Sequence, residues 1–142
     1  MLKLDHITVI APTLIEGVTH VQNCLGLEVP FGTRHDYMGT HNHRLQLGNS
    51  VYLEIVALDP EGAEPGRSRW FGLDNQKKVR SDWNEGRRLR GWVASTDAID
   101  SVVLTRRQIF GHAVPLPPAF IQGPKVRYRA QIETPTGSKE LT

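Results

Sequence analysis

The sequence has little of what several classes of functional site require. Its one cysteine among 142 residues, Cys24, cannot form an internal disulfide, which is typical of a reducing compartment. One cysteine and two methionines also supply too few sulfur ligands for an iron–sulfur cluster or a structural zinc finger. No apolar run approaches the ~20 residues of a membrane-spanning helix, and no signal-peptide pattern opens the sequence. We therefore expect a cytoplasmic protein with no membrane partner.

The charge is too evenly mixed to indicate a nucleic-acid surface. Seventeen basic residues against fifteen acidic ones leave a formal net charge of +2. The basic cluster of Arg87, Arg88 and Arg90 closely follows the acids Asp82 and Glu85. Such interspersed charge is typical of an ordinary solvated surface, so we expect no nucleic-acid partner.

The first half of the chain predicts the order β-α-β-β-β. Residues 4–11 alternate and are rich in β-branched side chains, which predicts a strand ended by Pro12. Thr13 and Glu16 stand at capping-box spacing, an apolar helical stripe follows, and Gly26 marks the helix end. Further strands are expected at residues 27–31, 44–47 and 51–58.

The second half repeats this order at a shift of 85 residues. The shift pairs Leu4 with Leu89 and Gly26 with Gly111, and Asp97 takes the place of the helix cap. Residues 136–142 have a turn composition, so the last strand of the second half is expected to be missing.

These patterns predict one α+β domain over residues 1–142, made of two βαβββ modules. The modules span residues 3–58 and 89–142 and are joined by a linker at 59–88, which carries a helical turn near Trp70. In each module one face of the sheet is expected to pack on the helix. A missing last strand would leave an open sheet edge, which predicts a homodimer.

Strand periodicity places several polar side chains on the face opposite the helices. The same parity turns His41 and His43 toward the helices, which makes them weaker ligand candidates. The residues of this polar face are His6, Asn42, Arg44, Tyr52 and Glu54.

Two interpretations of these residues stay open. Glu54 either takes part in chemistry or forms a salt bridge with Arg44 or Arg129, because a carboxylate is rarely buried without a partner. Arg44 and Arg129 either clamp a carboxylate or phosphate or are exposed edge arginines. Similarly, His35, Thr40 and Asn42 are expected to form a pocket rim, with an ordinary loop as the alternative.

Several short motifs resemble the glyoxalase-like domain family of the vicinal oxygen chelate superfamily, which includes glyoxalase I and the extradiol dioxygenases. The resemblance covers residues 3 to about 133. Its motifs are Leu4-Asp-His6, Gly32-x-x-His35, Met38-Gly-Thr-x-Asn42, Tyr52-Leu-Glu54 and, more weakly, Trp92 with Ser95-Thr-Asp97.

The resemblance implies that the two modules form a cupped mixed sheet with helices on its outer face. It also implies a divalent metal ion in the cup between the modules, bound from the first and last strand of each module. His6 and Glu54 match the ligands of the first module. In the second module Gly91 stands in the place of His6, and the strand that should bring a second carboxylate ligand is absent or reduced to Glu140. Imidazole and carboxylate ligands suit Zn, Ni, Mn or Fe.

The function expected from this resemblance is binding of a small molecule in the cup, with metal-dependent lyase or isomerase chemistry in which Glu54 is catalytic. The alternatives are a non-catalytic binding or sequestering protein of the same fold, and a truncated remnant without an enclosed pocket.

Overall fold

The computed structural model describes residues 3–95, 120–122, 125–127, 130–134 and 137–141, and the side chains of residues 3–95. Contacts divide the chain into two units. One unit spans His6–Gly91, and the other comprises Met1–Asp5 with Trp92–Thr142. No helix within these described residues is long and apolar enough to cross a membrane.

The first strand and helix are bounded by the residues that the sequence predicts. Strand β1 spans Lys3–Ile10 and helix α1 spans Leu14–Leu25. The hydroxyl oxygen of Thr13 accepts a hydrogen bond from the Glu16 N–H at 3.2 Å. Gly26 has a φ of 66°, and its N–H donates to the carbonyl oxygen of Gln22 at 2.8 Å. Glycine adopts this left-handed conformation readily because it has no Cβ, so both predicted helix caps are confirmed.

Three further strands complete the sheet of the first unit. They are β2 at Phe31–His35, β3 at Thr40–Gln46 and β4 at Tyr52–Leu58, in the order β2-β3-β4-β1. The first two pairs are antiparallel, and β4 is parallel to β1. The predicted strand at 27–31 is wrong, because β2 begins after Pro30, which lacks the N–H that a strand ladder needs.

The two faces of this sheet are sorted as strand periodicity predicts. The face toward α1 is aliphatic and packs into one core with Trp83, which belongs to a helix later in the chain. The buried members of this core are Val9, Ala11, Val21, Val29, Leu53, Ile55 and Trp83. The opposite face, called here the inner face, carries polar side chains that are also buried. They are His6, Thr8, Thr40, Asn42 and Glu54.

The connection at residues 59–88 contains a helix that the sequence pattern did not predict. The predicted turn is a 3-10 helix at Trp70–Gly72, and helix α2 follows at Gln76–Asn84, capped by the Asn75 side chain. Only Val79 and Trp83 give α2 a buried apolar spacing, which is too short a pattern to stand out among charged residues. The connection belongs to the first compact unit.

The second unit contains a last strand where we expected none. The strands that follow the connection are β5 at Leu89–Ser95, β6 at Phe120–Gln122, β7 at Lys125–Arg127, β8 at Ala130–Thr134 and β9 at Gly137–Leu141. β9 is antiparallel to β8 and parallel to β5. The expectation was wrong because backbone pairing on both sides holds a strand of weak composition. The helix expected after Asp97 lies outside the described residues.

Candidate functional site

A histidine and a carboxylate meet on the inner face at adjacent parallel strands. His6 lies on β1 and Glu54 on β4, and the distance from His6 Nε2 to Glu54 Oε1 is 3.8 Å. Each side chain is only 1% exposed. Burying a carboxylate this deeply is costly unless polar groups surround it. The pair is therefore the candidate centre of a functional site on the inner face.

Asn42 on β3 fixes the orientation of the Glu54 carboxylate. Its Nδ2 donates to Glu54 Oε2 at 2.8 Å, while its Oδ1 accepts the Thr33 N–H at 2.8 Å. Because a backbone N–H can only donate, the amide orientation of Asn42 is determined by Thr33. One carboxylate oxygen is thus engaged by an amide, and the other lies toward His6.

Gly32 makes room for this arrangement. A Cβ atom at position 32 would collide with Oδ1 of Asn42. A register shift in β2 between Phe31 and Arg34 brings Gly32 and Thr33 to this place, as bulges commonly re-aim local groups. In the sequence Gly32 stands out only as part of a motif, and no sequence signal indicates the role of Thr33.

An aromatic ring and a guanidinium extend the site along the strands. Tyr52 stacks on His6 with ring centroids 4.5 Å apart and an interplanar angle of 17°. The guanidinium carbon of Arg44 lies 5.6 Å from the Tyr52 ring centroid, and Arg44 Nη2 donates to Thr33 Oγ1 at 3.4 Å. Within the described residues Arg44 therefore contacts Tyr52 and Thr33 and does not form the salt bridge with Glu54 that we considered.

His35 and Thr40 form a neighbouring polar pair. Their Nδ1 and Oγ1 atoms lie 2.9 Å apart, and the His35 ring meets Trp70 edge-on at 5.2 Å. Thr40 shares the inner face with Asn42, two residues further along β3. The structure thus gathers the predicted rim residues on or beside the inner face, while Arg129 lies outside the described residues.

A second buried carboxylate, Asp82 on α2, is surrounded by cations. Lys78 Nζ, Arg87 Nη2 and Arg90 Nη1 lie 3.0, 2.6 and 3.1 Å from its oxygens. Burial alone would raise the pKa of Asp82, but hydrogen bonds from Arg87 and Lys78 and the charge of Arg90 lower it below the ordinary value. The neighbouring α2 residue Trp83 packs into the helix-side core, so we assign Asp82 a role in stability.

The described residues do not form a complete site for the divalent metal that the family resemblance implies. His6 and Glu54 are ligands of the right chemistry, and their 3.8 Å separation suits two positions around one ion. Among residues that the structure describes, no group of three or more His, Cys, Asp or Glu side chains could hold an ion. The predicted pair is present, and a third protein ligand from this part of the chain is not.

Comparison with solved structures found several of similar fold at low sequence identity. A hypothetical protein from Bacillus halodurans C-125 is similar with a TM-score of 0.55 and 14% identity, covering 99% of this chain and 92% of that one. The methylmalonyl-CoA epimerase of Mycobacterium tuberculosis has a TM-score of 0.55 and 16% identity over 97% and 85% of the two chains. That of Streptomyces coelicolor, in complex with 2-nitronate-propionyl-CoA, has a TM-score of 0.54 and 17% identity over 98% and 92%.

The described part of the chain has the α+β fold of these structural neighbours. The sequence matches the model of the glyoxalase-like domain over residues 4–137. The chain belongs to the glyoxalase-like domain family, which confirms the resemblance read from its motifs. A comparison with curated proteins found no match.

Proposed function

We propose that the inner face of the first unit binds a small organic molecule and that Glu54 exchanges a proton with it in an isomerase or lyase type of reaction. One observation carries this proposal. The Glu54 carboxylate is 1% exposed, is held through one oxygen by Asn42 at 2.8 Å, and lies 3.8 Å from His6 through the other.

This arrangement supports proton transfer for physical reasons. A general base must be held within reach of its substrate, and the Asn42 hydrogen bond restricts rotation of the Glu54 carboxylate. Exclusion of water strengthens every electrostatic interaction with a developing anion. His6, stacked on Tyr52, is the second group able to donate or accept a proton there.

The remaining predicted residues would contribute binding contacts. We assign Arg44, beside Tyr52, to an anionic group of the ligand, because its guanidinium has no carboxylate partner among the described residues. His35, Thr40 and Arg129 complete the proposed binding set. The epimerases among the structural neighbours invert a stereocentre, and such an inversion can proceed by removal and return of a proton. At 17% identity or less that similarity shows the fold, and the reaction class is our proposal.

Deuterium exchange tests the proposal directly. Methylmalonyl-CoA and a panel of small 2-oxo acids are incubated with the protein in D₂O, and loss of the acidic C–H signal is followed by NMR. We expect catalysed exchange that falls about 100-fold or more in Glu54→Gln, since general-base catalysis typically contributes 10²–10⁴-fold. Glu61→Gln is the matched control, because that carboxylate is 77% exposed. Exchange that survives Glu54→Gln would contradict the assignment.

Non-catalytic binding is the second candidate, and the deep burial of both His6 and Glu54 favours it. A binding protein can enclose its ligand without presenting a base to it. In that case a probe raises the melting temperature but its C–H signal persists. If no probe is exchanged and none raises the melting temperature, both candidates fail for these ligand classes.

Three earlier expectations remain proposals. Metal analysis after purification with added Ni, Zn, Mn or Fe tests whether His6 and Glu54 bind an ion, which would supply Lewis-acid polarisation of substrate oxygens. Sedimentation tests the homodimer, although the strand β9 removes the missing-strand argument for it. Cell fractionation tests the cytoplasmic location.

A further inference from the structure

Gly91, the residue that the internal repeat pairs with His6, has no room for a side chain. A Cβ atom there would lie 2.8 Å and 2.9 Å from Cε1 and Cδ1 of Phe71, and 3.3 Å from Cβ of Thr8. Carbon atoms that are not bonded to each other pack best at about 3.5–4.0 Å. The ring of Phe71 therefore fills the space that a side chain at position 91 would need.

Phe71 is held at this place in an uncommon backbone conformation. Its φ of 58° and ψ of 19° lie in the left-handed region, which non-glycine residues with bulky side chains rarely adopt. The side chain is nevertheless only 2% exposed. Such strain persists where the surrounding structure fixes the residue, and it is found frequently at functional sites.

Arg69 fixes the segment that carries Phe71. Its Nε donates to the Met38 carbonyl oxygen at 2.8 Å, and its Nη1 contacts Asp74 Oδ1 at 2.7 Å. The Arg69 N–H donates to the other Asp74 oxygen at 2.8 Å. Because Arg69 and Asp74 flank Phe71 in sequence, these bonds close the turn around it.

The Phe71 ring also lies next to the candidate site. A Cβ at position 91 would touch both the Phe71 ring and Thr8, and Thr8 follows His6 by two residues on the inner face and is the strand partner of Glu54. Phe71 thus adds an apolar wall to the end of the inner face that carries the histidine–carboxylate pair.

We propose that Phe71 is a specificity-determining residue whose ring replaces a second histidine ligand at position 91. The site then has one histidine and an apolar wall, so it selects a small organic ligand with an apolar group over a divalent ion held by protein ligands alone. This inference deepens the proposed function and rests on it for the role of His6 and Glu54.

A double-mutant cycle tests the position of the ring without any ligand. Phe71→Ala leaves a cavity and Gly91→His a collision, so each should lower the melting temperature. In Phe71→Ala/Gly91→His the imidazole occupies the vacated space, and we expect a combined loss at least about 5 °C smaller than the sum of the two. Additive losses would overturn the proposal. If Gly91→His does not fold, Gly91→Ala with Phe71→Leu provides the same cycle.

Nickel binding by the same variants tests the ligand position. Equilibrium dialysis with NiCl₂ should show that Phe71→Ala/Gly91→His binds Ni²⁺ at least about 10-fold more tightly than the unmodified chain, since a third ligand is added. Adding Glu54→Gln should remove this gain. A non-additive cycle without a gain in Ni²⁺ affinity would overturn the statement that the ring replaces a ligand. Deuterium exchange by the unmodified chain in D₂O tests the proposed function independently of these variants.

Discussion

The two faces of the first unit's sheet are both buried, but they are held by different kinds of contact. On the side of α1 the hydrophobic core is aliphatic apart from one tryptophan. On the inner face they include His6, Thr8, Asn42 and Glu54, each at most 2% exposed. The same four strands therefore present an apolar core on one side and a polar cluster on the other.

The comparison shows where stability and function reside. Aliphatic packing is non-directional and spread over many atoms, so the helix-covered face stabilises the fold through many small contributions. Polar groups in a dry environment depend on individual hydrogen bonds, so the inner face is sensitive to single atoms. Substitutions on the two faces should therefore separate loss of stability from loss of chemistry.

The largest effect on stability is expected at Ile55, on the helix-covered face. Ile55 is fully buried, and Ile55→Ala should lower the free energy of unfolding by about 4 kcal/mol through lost burial and a residual cavity. Urea denaturation measures this loss. Ile15→Ala, at a residue 79% exposed on α1, is the control and should change little. A loss below about 1 kcal/mol for Ile55→Ala would break the distinction between the faces.

Asp82 is a buried charge on α2, next in sequence to the core residue Trp83, and it tests how much one cluster of ion pairs contributes to stability. Asp82→Asn should cost about 2 kcal/mol at pH 7, since three cations lose their carboxylate partner. Its lowered pKa means that the folded state binds the proton less readily than the unfolded chain. The stabilisation is therefore present above the ordinary pKa of 3.8 and is lost as the pH falls below it.

Urea denaturation between pH 7 and pH 3 checks this behaviour. The difference between the unmodified chain and Asp82→Asn should be constant near neutrality and shrink below about pH 4. Glu85→Gln is the control, because Glu85 pairs with Arg87 at the surface. A difference that stays constant down to pH 3 would show that packing of the side chain, and not its charge, stabilises α2.

The sequence predicts most of the first unit because local signals determine it. Thr13 and Gly26 bound α1 through contacts within a few residues, and alternation alone places His6 and Glu54 on one face. Strand β9 was not predicted because its pairing with other strands determines it. Helix α2 was not predicted because only two buried apolar residues, Val79 and Trp83, mark it. The position of Phe71 was not predicted because it depends on a turn that Arg69 closes.

Gly32 offers a sharper test of the inner face. Gly32→Ala places a Cβ against Oδ1 of Asn42, which should displace the amide that holds Glu54. We expect a loss of about 1.5 kcal/mol in unfolding free energy, from one weakened buried hydrogen-bond network, together with reduced deuterium exchange. Gly48→Ala is the matched control, because a Cβ at position 48 meets nothing within 4 Å. Unchanged exchange in Gly32→Ala would show that Asn42 does not position Glu54.

The smallest expected effect on stability is at Thr13, which caps the start of α1. Thr13→Ala removes the hydroxyl that accepts the Glu16 N–H, and loss of such a cap costs about 1 kcal/mol. Thr13→Ser keeps an acceptor and should retain most of that stability in thermal unfolding. Since α1 packs on the opposite face from Glu54, the deuterium exchange of folded Thr13→Ala should match that of the unmodified chain. Reduced exchange in this variant would mean that the helix-covered face also positions the inner face, and the separation between stability and chemistry would not hold.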